Sequence, residues 1–209
     1  MDITLKSIGT IHTPYLPSLP IPHQPQQNAP GEFWISVDAQ YKEALFKVEA
    51  YRYIYVLYYL DQVKPPVELT VSPSWAPSVQ VGLFASRSAR RPNPIGLSIV
   101  QIKEIEGSDI IISGIDVYNG TPLLDIKPYV RALDLKQDSN DGWYDELEDK
   151  DHLVAHMLGL PHEHSLSHGH SHGHGHDHVH AHTHNHKHAH NHEHAHLQVY
   201  GHGDKLKHD

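Results

Sequence analysis

The residues Arg87-Ser88-Ala89-Arg90-Arg91-Pro92-Asn93-Pro94-Ile95-Gly96 put three guanidinium groups beside two prolines and a glycine. Proline fixes its own φ and restrains the residue before it, so this segment has a shape before any ligand arrives. Gly96 lets another backbone or a ligand approach closely. A rigid loop flanked by guanidinium groups suits recognition of a carboxylate or a phosphate. The same residues also suit a barrel corner with solvated arginines.

A second constellation is Gly114-Ile115-Asp116-Val117-Tyr118-Asn119-Gly120-Thr121-Pro122, followed by Asp125 and Lys127. Asn119-Gly120 favours a tight turn, and Thr121-Pro122 redirects the chain after it. Asp125 and Lys127 are two positions apart, so an extended chain presents both on one side. Read without context, they are equally a surface ion pair of little energetic weight.

The third constellation is a ladder of imidazoles. His168, His170, His172, His174, His176, His178, His180, His182, His184, His186, His188, His190, His192, His194 and His196 occupy alternate positions. In an extended chain they face one side, where neighbouring rings can share a Zn, Ni or Cu ion. The interspersed Asp, Asn, Glu, Lys and Ala distinguish the tract from an uninterrupted tag. A solubilising tail with incidental metal affinity is the plainer reading. A catalytic metal is not expected there, because a low-complexity tract has no second layer of residues to hold its ligands.

The elements that must position these groups are mostly strands. Residues 3–13 alternate apolar and polar positions, as a half-buried strand does. Residues 14–31 hold too many prolines for a helix or a central strand. The run 32–38 is a second strand, and 39–50 reads as a short helix with Tyr41, Leu45 and Val48 near one face. Residues 51–60 are aromatic and β-branched and predict a buried strand. Further strands are expected at 67–73 and 81–87, and a strand pair at 97–118 turns around Glu106, Gly107 and Ser108. With about six strands and little helix, the expected fold is mainly β, an antiparallel barrel or sandwich. No glycine-rich fingerprint follows a strand and opens a helix, so a Rossmann-type nucleotide site is unsupported.

Composition divides the chain. Residues 1–135 carry 11 Lys+Arg against 13 Asp+Glu, and residues 136–160 carry 2 against 7. The first region is near neutral and has no broad basic face for nucleic acid, apart from the Arg87, Arg90 and Arg91 patch. The second predicts an acidic helical appendage, with a helix over 144–160. Residues 161–209 are too polar to offset their ordering entropy and are expected to form a disordered His-rich tail. There is no cysteine, which excludes disulfides and thiolate metal sites. No secretion signal or apolar run of about 18 residues is apparent, so no membrane association and a cytoplasmic location are expected.

Taken together, "GLFASRSARRPNPIGLSIVQI" and "GIDVYNGTPLLDIKPYV" closely resemble the signature of the TsaA-like family. "IGTIHTPY", "HQPQ" and "YYLDQ" resemble further family segments in the same order, and the likeness covers roughly residues 4–135. The resemblance implies a compact single-sheet β-barrel that forms a homodimer and binds S-adenosyl-L-methionine without a Rossmann domain. It implies methyl transfer to N6 of N6-threonylcarbamoyladenosine beside the anticodon of tRNA. Carried over by motif, Gln24, Pro25 and Gln26, Asp61 and Gln62, Arg87, Leu97, and the backbone of Ile115, Asp116, Val117, Tyr118 and Asn119 would meet the cofactor. The family usually has aspartate where Asn119 stands, which keeps the turn but removes a carboxylate. Some bacterial members carry a second C-terminal domain that helps hold tRNA; no counterpart is expected here. The acceptor nitrogen must lose a proton, and Asp125 is the candidate base, with Lys127 or Arg87 stabilising developing charge. The rival functions are a metal storage or delivery protein with the barrel as carrier, and a small-molecule methyltransferase.

Overall fold

In the computed structural model, the described residues are 3–18, 21–64, 66–158 and 160. The tail over 161–209, with its expected metal ligands, lies outside them. Eight strands form: β1 Gly9–His12, β2 Trp34–Val37, β3 Tyr53–Tyr59, β4 Thr70–Val71, β5 Val81–Gly82, β6 Ile95–Glu106, β7 Asp109–Ile112 and β8 Thr121–Pro128. Two short helices follow, α1 Arg131–Asp134 and α2 Lys150–Leu158. Six strands close into an antiparallel barrel in the order β1-β2-β7-β6-β3-β8, while β4 and β5 pair separately.

Alternation decides which side chains fill the interior. In β3, Ile54, Val56 and Tyr58 are buried, while Tyr53, Tyr55, Leu57 and Tyr59 face outward; the strand expected to be buried is buried on one face only. Ile11, Ile35, Val37, Val100, Ile110, Ile112 and Leu123 complete the wall, with Phe33, Ile115 and Val117 closing the core from the connections. The turn between β6 and β7 falls where expected, with Gly107 at φ 67°, a conformation open to glycine. Among the described residues of 14–31 there is no helix or strand, again as expected.

Several expectations are corrected. The helix over 39–50 is two 3-10 segments, Ala39–Leu45 and Val48–Ala50, interrupted by Lys47 in the left-handed region at φ 70°. Its apolar positions Tyr41, Leu45 and Val48 still pack on the core. The strands at 67–73 and 81–87 shrink to a two-residue ladder: Pro73 brings no donor beyond Val71, and Leu83–Ala85 leave the strand as a 3-10 turn. The strand over 3–13 is paired only at Gly9–His12. The helix over 144–160 is divided into a 3-10 turn at Gly142–Glu146 and α2, with Leu147 extended between them. None of the described helices is long and apolar enough to cross a membrane.

Gly96 has a packing role. It pairs with Tyr58 across β3 and β6, and a Cβ built on it would lie 2.0 Å from the tyrosine ring. The ring therefore occupies the place a side chain would take. We predict that Gly96→Ala lowers stability by about 1–3 kcal/mol, the usual cost of overpacking a filled core. Urea unfolding checks this; an unchanged midpoint would show that the ring moves aside freely.

Candidate active site

The end of the barrel where β3 leads out and β6 begins gathers three loops. Between them β3 and β6 hold the long connection 60–94, whose ends are tied where the Leu60 N–H donates to the Pro94 carbonyl at 2.8 Å. Within it the 83–91 turn is shaped by Arg91. Its Nη1 donates to the carbonyls of Ser86 at 2.9 Å, Leu83 at 3.4 Å and Ser88 at 3.5 Å, so this guanidinium is spent on the loop itself. Arg87 is left to face the proline-rich loop, and its Nη1 donates to Gln24 Oε1 at 3.0 Å.

The proline-rich loop is seated by Gly114. A Cβ there would stand 2.3 Å from the Gln26 carbonyl and 2.6 Å from Ala29, an approach only glycine allows. Residues 115–119 are sewn to the chain after β1. Thr13 Oγ1 donates to the Val117 carbonyl at 2.9 Å, the Thr13 N–H to Asn119 Oδ1 at 3.3 Å, and the Asn119 N–H to the Tyr15 carbonyl at 2.8 Å. Asn119 thus serves the turn through its amide, a task an aspartate acceptor would perform equally.

A polar chain runs from the core to Asp116. The Tyr58 hydroxyl lies 3.0 Å from Ser98 Oγ, and Ser98 donates to Asp116 Oδ1 at 3.2 Å. An ionised carboxylate only accepts, which sets the direction of the chain as Tyr58 to Ser98 to Asp116. Burial pushes the Asp116 carboxyl up to about 6; its own backbone N–H, Ser98 and Arg87 pull the other way. Burial, and then the charge on Asp116, raise the Tyr58 phenol beyond its ordinary range and also raise Tyr15. Arg87 and Asp116 act on each other electrostatically, yet no ion pair joins them among the described residues.

The sequence-predicted residues therefore fall into groups. Gln24 and Arg87 touch, Asp116 stands near them, and Pro25 and Gln26 belong to the same loop. Ile115 and Val117 are buried in the core and offer only backbone; the Tyr118 carbonyl is taken by Thr121 Oγ1 at 2.7 Å. Asp61 and Gln62 follow β3 as an exposed pair, with Gln62 Nε2 donating to Asp61 Oδ2 at 2.9 Å. Leu97 is 58% exposed on the outward face of β6, opposite to its neighbour Ser98. Asp125 and Lys127 form an ion pair at 2.7 Å on β8, across from Leu57 and Tyr55. Two residues of this polar chain escaped the sequence reading: Ser98 and Tyr58. Ser98 and Tyr58 carried a usable signal, since each puts a hydroxyl at an inward position of an otherwise apolar alternation. Among the described residues no group of three or more His, Asp or Glu is arranged to hold a metal.

The raised carboxyl has a consequence for stability. An unfolded aspartate titrates near ~4, so between about 4 and 6 the folded chain binds the proton more tightly. The Asp116 contribution is thus fully present below about pH 4 and is lost as pH rises through about 6. We predict that wild type loses about 2–3 kcal/mol across this window relative to Asp116→Asn. Urea unfolding of both proteins from pH 4 to 7 reads the difference; parallel curves would contradict it.

A family model described as tRNA-methyltransferase O N-terminal domain matches residues 10–135. A probable S-adenosyl-L-methionine-binding protein of Archaeoglobus fulgidus is 32% identical over 76% of this chain and 42% of its own length. The tRNA (adenine(37)-N6)-methyltransferase of Escherichia coli is 33% identical over 60% of this chain and 57% of its own. A crystal structure of TrmO from Pseudomonas aeruginosa aligns with TM-score 0.57 at 31% identity, covering 68% of this chain and 62% of that one. The chain thus spans about half the length of these relatives. The matched region runs from the second residue of β1 through β8 and includes Gln24, Arg87 and Asp116, and the chain belongs to the TsaA-like family of the tRNA-methyltransferase O N-terminal domain.

Proposed function

We propose that the protein is an S-adenosyl-L-methionine-dependent methyltransferase acting on N6 of N6-threonylcarbamoyladenosine beside the tRNA anticodon. The observation that carries this reading is the set Arg87, Gln24 and Asp116 within the family region. It holds a cation and a carboxylate close together without neutralising each other. That donor set fits a zwitterionic ligand with a carboxylate, an ammonium and a sulfonium. The names of the relatives support the same cofactor and an adenine in tRNA. The proposed substrate places the protein in the cytoplasm.

The cofactor supplies a methyl group on a positive sulfur. Arg87 and Gln24 bind and orient, so that the transfer is mainly a matter of alignment. Asp116 accepts, at a carboxylate oxygen, the proton that the acceptor nitrogen loses. We assign this role to Asp116 rather than Asp125. Asp125 is held by Lys127 on the outer face, whereas Asp116 is partly buried, oriented by Ser98 and ionised near neutrality. The homodimer implied by the family resemblance is supported by the outward residues of β6, where Ile95, Leu97 and Ile99 are exposed beside Tyr59.

Arg87→Ala is expected to weaken cofactor binding about 10- to 100-fold, the range of a charge-assisted hydrogen bond. Calorimetry with folded full-length protein tests this, and no binding by wild type would end the methyltransferase reading. Turnover should rise with pH through about 6, and Asp116→Asn should remove that limb and slow transfer at least about 100-fold. The acceptor is identified by mass spectrometry of tRNA nucleosides from a deletion strain and its parent; identical nucleosides would exclude tRNA.

We also propose that the His-rich tail binds divalent transition ions apart from the methyl-transfer site. The alternate histidines from His168 to His196 support it. A free imidazole titrates near ~6.5 and must be neutral to ligate. Zn titrations of the full chain should show several ions bound at pH 7.5 and release by pH 5; uptake unchanged across that range would rule out imidazole ligation.

A further inference from the structure

The loop that carries Arg87 stands apart from the barrel core. No member of the core cluster comes from residues 61–94. Among the described residues of that connection the only paired strands are β4 and β5, joined over two residue pairs. Something else must hold the 83–88 turn in place.

The support comes from beyond the matched family region, which ends at residue 135. Three buried apolar residues lie outside the barrel core: Ala76, Leu83 and Met157, the last of them on α2. Trp75 stacks on Trp143, with centroids 5.4 Å apart and planes at 11°, and on Tyr144 at 5.2 Å. Trp143 Nε1 donates to the Ala85 carbonyl at 2.9 Å, two residues before Arg87. The Arg87 guanidinium in turn acts electrostatically on Tyr144. The turn presenting both rings is pinned by Lys150, which binds Asp141 at 2.7 Å and also binds Asp145.

We propose that residues 142–150 are a working part of the candidate site, a brace that fixes the Arg87 loop, with Trp143 as the positioning residue. An indole is suited to this task. Its ring is held by stacking, and its single N–H has a fixed direction, so the Ala85 carbonyl is set at one distance from the Trp75–Trp143 pair. Lys150 anchors the turn to the start of α2. The acidic character of 136–150 then has a local purpose: Asp141 and Asp145 are the two arms that grip Lys150. The inference rests on Arg87 being a ligand-binding group.

The test uses the full-length chain and S-adenosyl-L-methionine as the probe. Trp143→Phe keeps a stacking ring and removes only the N–H donor. It should weaken binding about 3- to 10-fold, the range of one hydrogen bond. The thermal midpoint of the variant should stay near that of wild type. The double variant Arg87→Ala/Trp143→Phe should bind no more weakly than Arg87→Ala, because Trp143 acts through Arg87. Unchanged affinity of Trp143→Phe, or additive losses in the double variant, would overturn the proposal. Should Trp143→Phe fail to fold, Lys150→Met provides the same comparison, with a smaller loss expected and no loss counting against the brace. If wild type binds no S-adenosyl-L-methionine, the cofactor reading fails, and the brace is then judged by amide exchange. Faster exchange at Ser86 and Ser88 in the variant upholds it, and unaltered exchange rejects it.

Discussion

The site depends on one contact, the ring of Tyr58 lying over Gly96. It joins β3 to β6 inside the barrel and carries the phenol across to Ser98. The Arg-Pro-Asn-Pro-Ile-Gly run is explained in the same place. The prolines bring the chain rigidly into β6, and the glycine admits a neighbour's side chain. A small hydroxyl two residues later then faces inward, where the tyrosine can buttress it. A bulge between Leu57 and Tyr58 in the pairing of β3 with β8 accompanies this arrangement. Bulges commonly re-aim a side chain next to a functional site.

From that contact outward, the polar groups run from the interior to the surface. Tyr58 and Ser98 are both buried, Asp116 is half-buried, and the exposed Arg87 reaches the half-buried Gln24. Burying the Asp116 carboxyl raises its proton affinity because the Ser98 hydroxyl and its own backbone N–H recover only part of the lost hydration. Arg87 opposes that shift from a distance, without forming a direct pair. The balance gives a carboxylate near neutrality instead of a fully paired one.

Much of the barrel was readable because strand alternation reports directly on which face is buried, as around Ile11 in the run 3–13, whereas the aromatic and β-branched composition of 51–60 did not show that only Ile54, Val56 and Tyr58 turn inward. The turns were readable from Gly107 and Asn119-Gly120. The 39–50 segment misled because its apolar spacing is compatible with both α and 3-10 geometry, and the left-handed Lys47 gives no mark in composition. The short β4–β5 ladder misled for the opposite reason: β-branched residues predicted length, while Pro73 and the 3-10 turn at Leu83–Ala85 limited it. Within the site, the motifs pointed to Arg87, Gln24 and Asp116. The separation of Leu97 and Asp125 from Asp116 depends on strand facing and register, which spacing along the chain does not encode. Trp143 was out of reach altogether, since nothing near it in sequence links it to Ala85.

The connection 60–94 begins and ends at neighbouring points, with Tyr59 opposite Ile95 and Leu60 bonded to Pro94. A segment whose ends are already clasped adds no further closure cost to the barrel, whatever its own state. The six barrel strands pair with one another without β4 or β5. The placement of the Arg87 loop and the pairing of the barrel therefore rest on different contacts. Changes of length within 66–91 fall outside the register of β3 and β6, whose partners are fixed from Tyr53 opposite Gln101 to Tyr59 opposite Ile95.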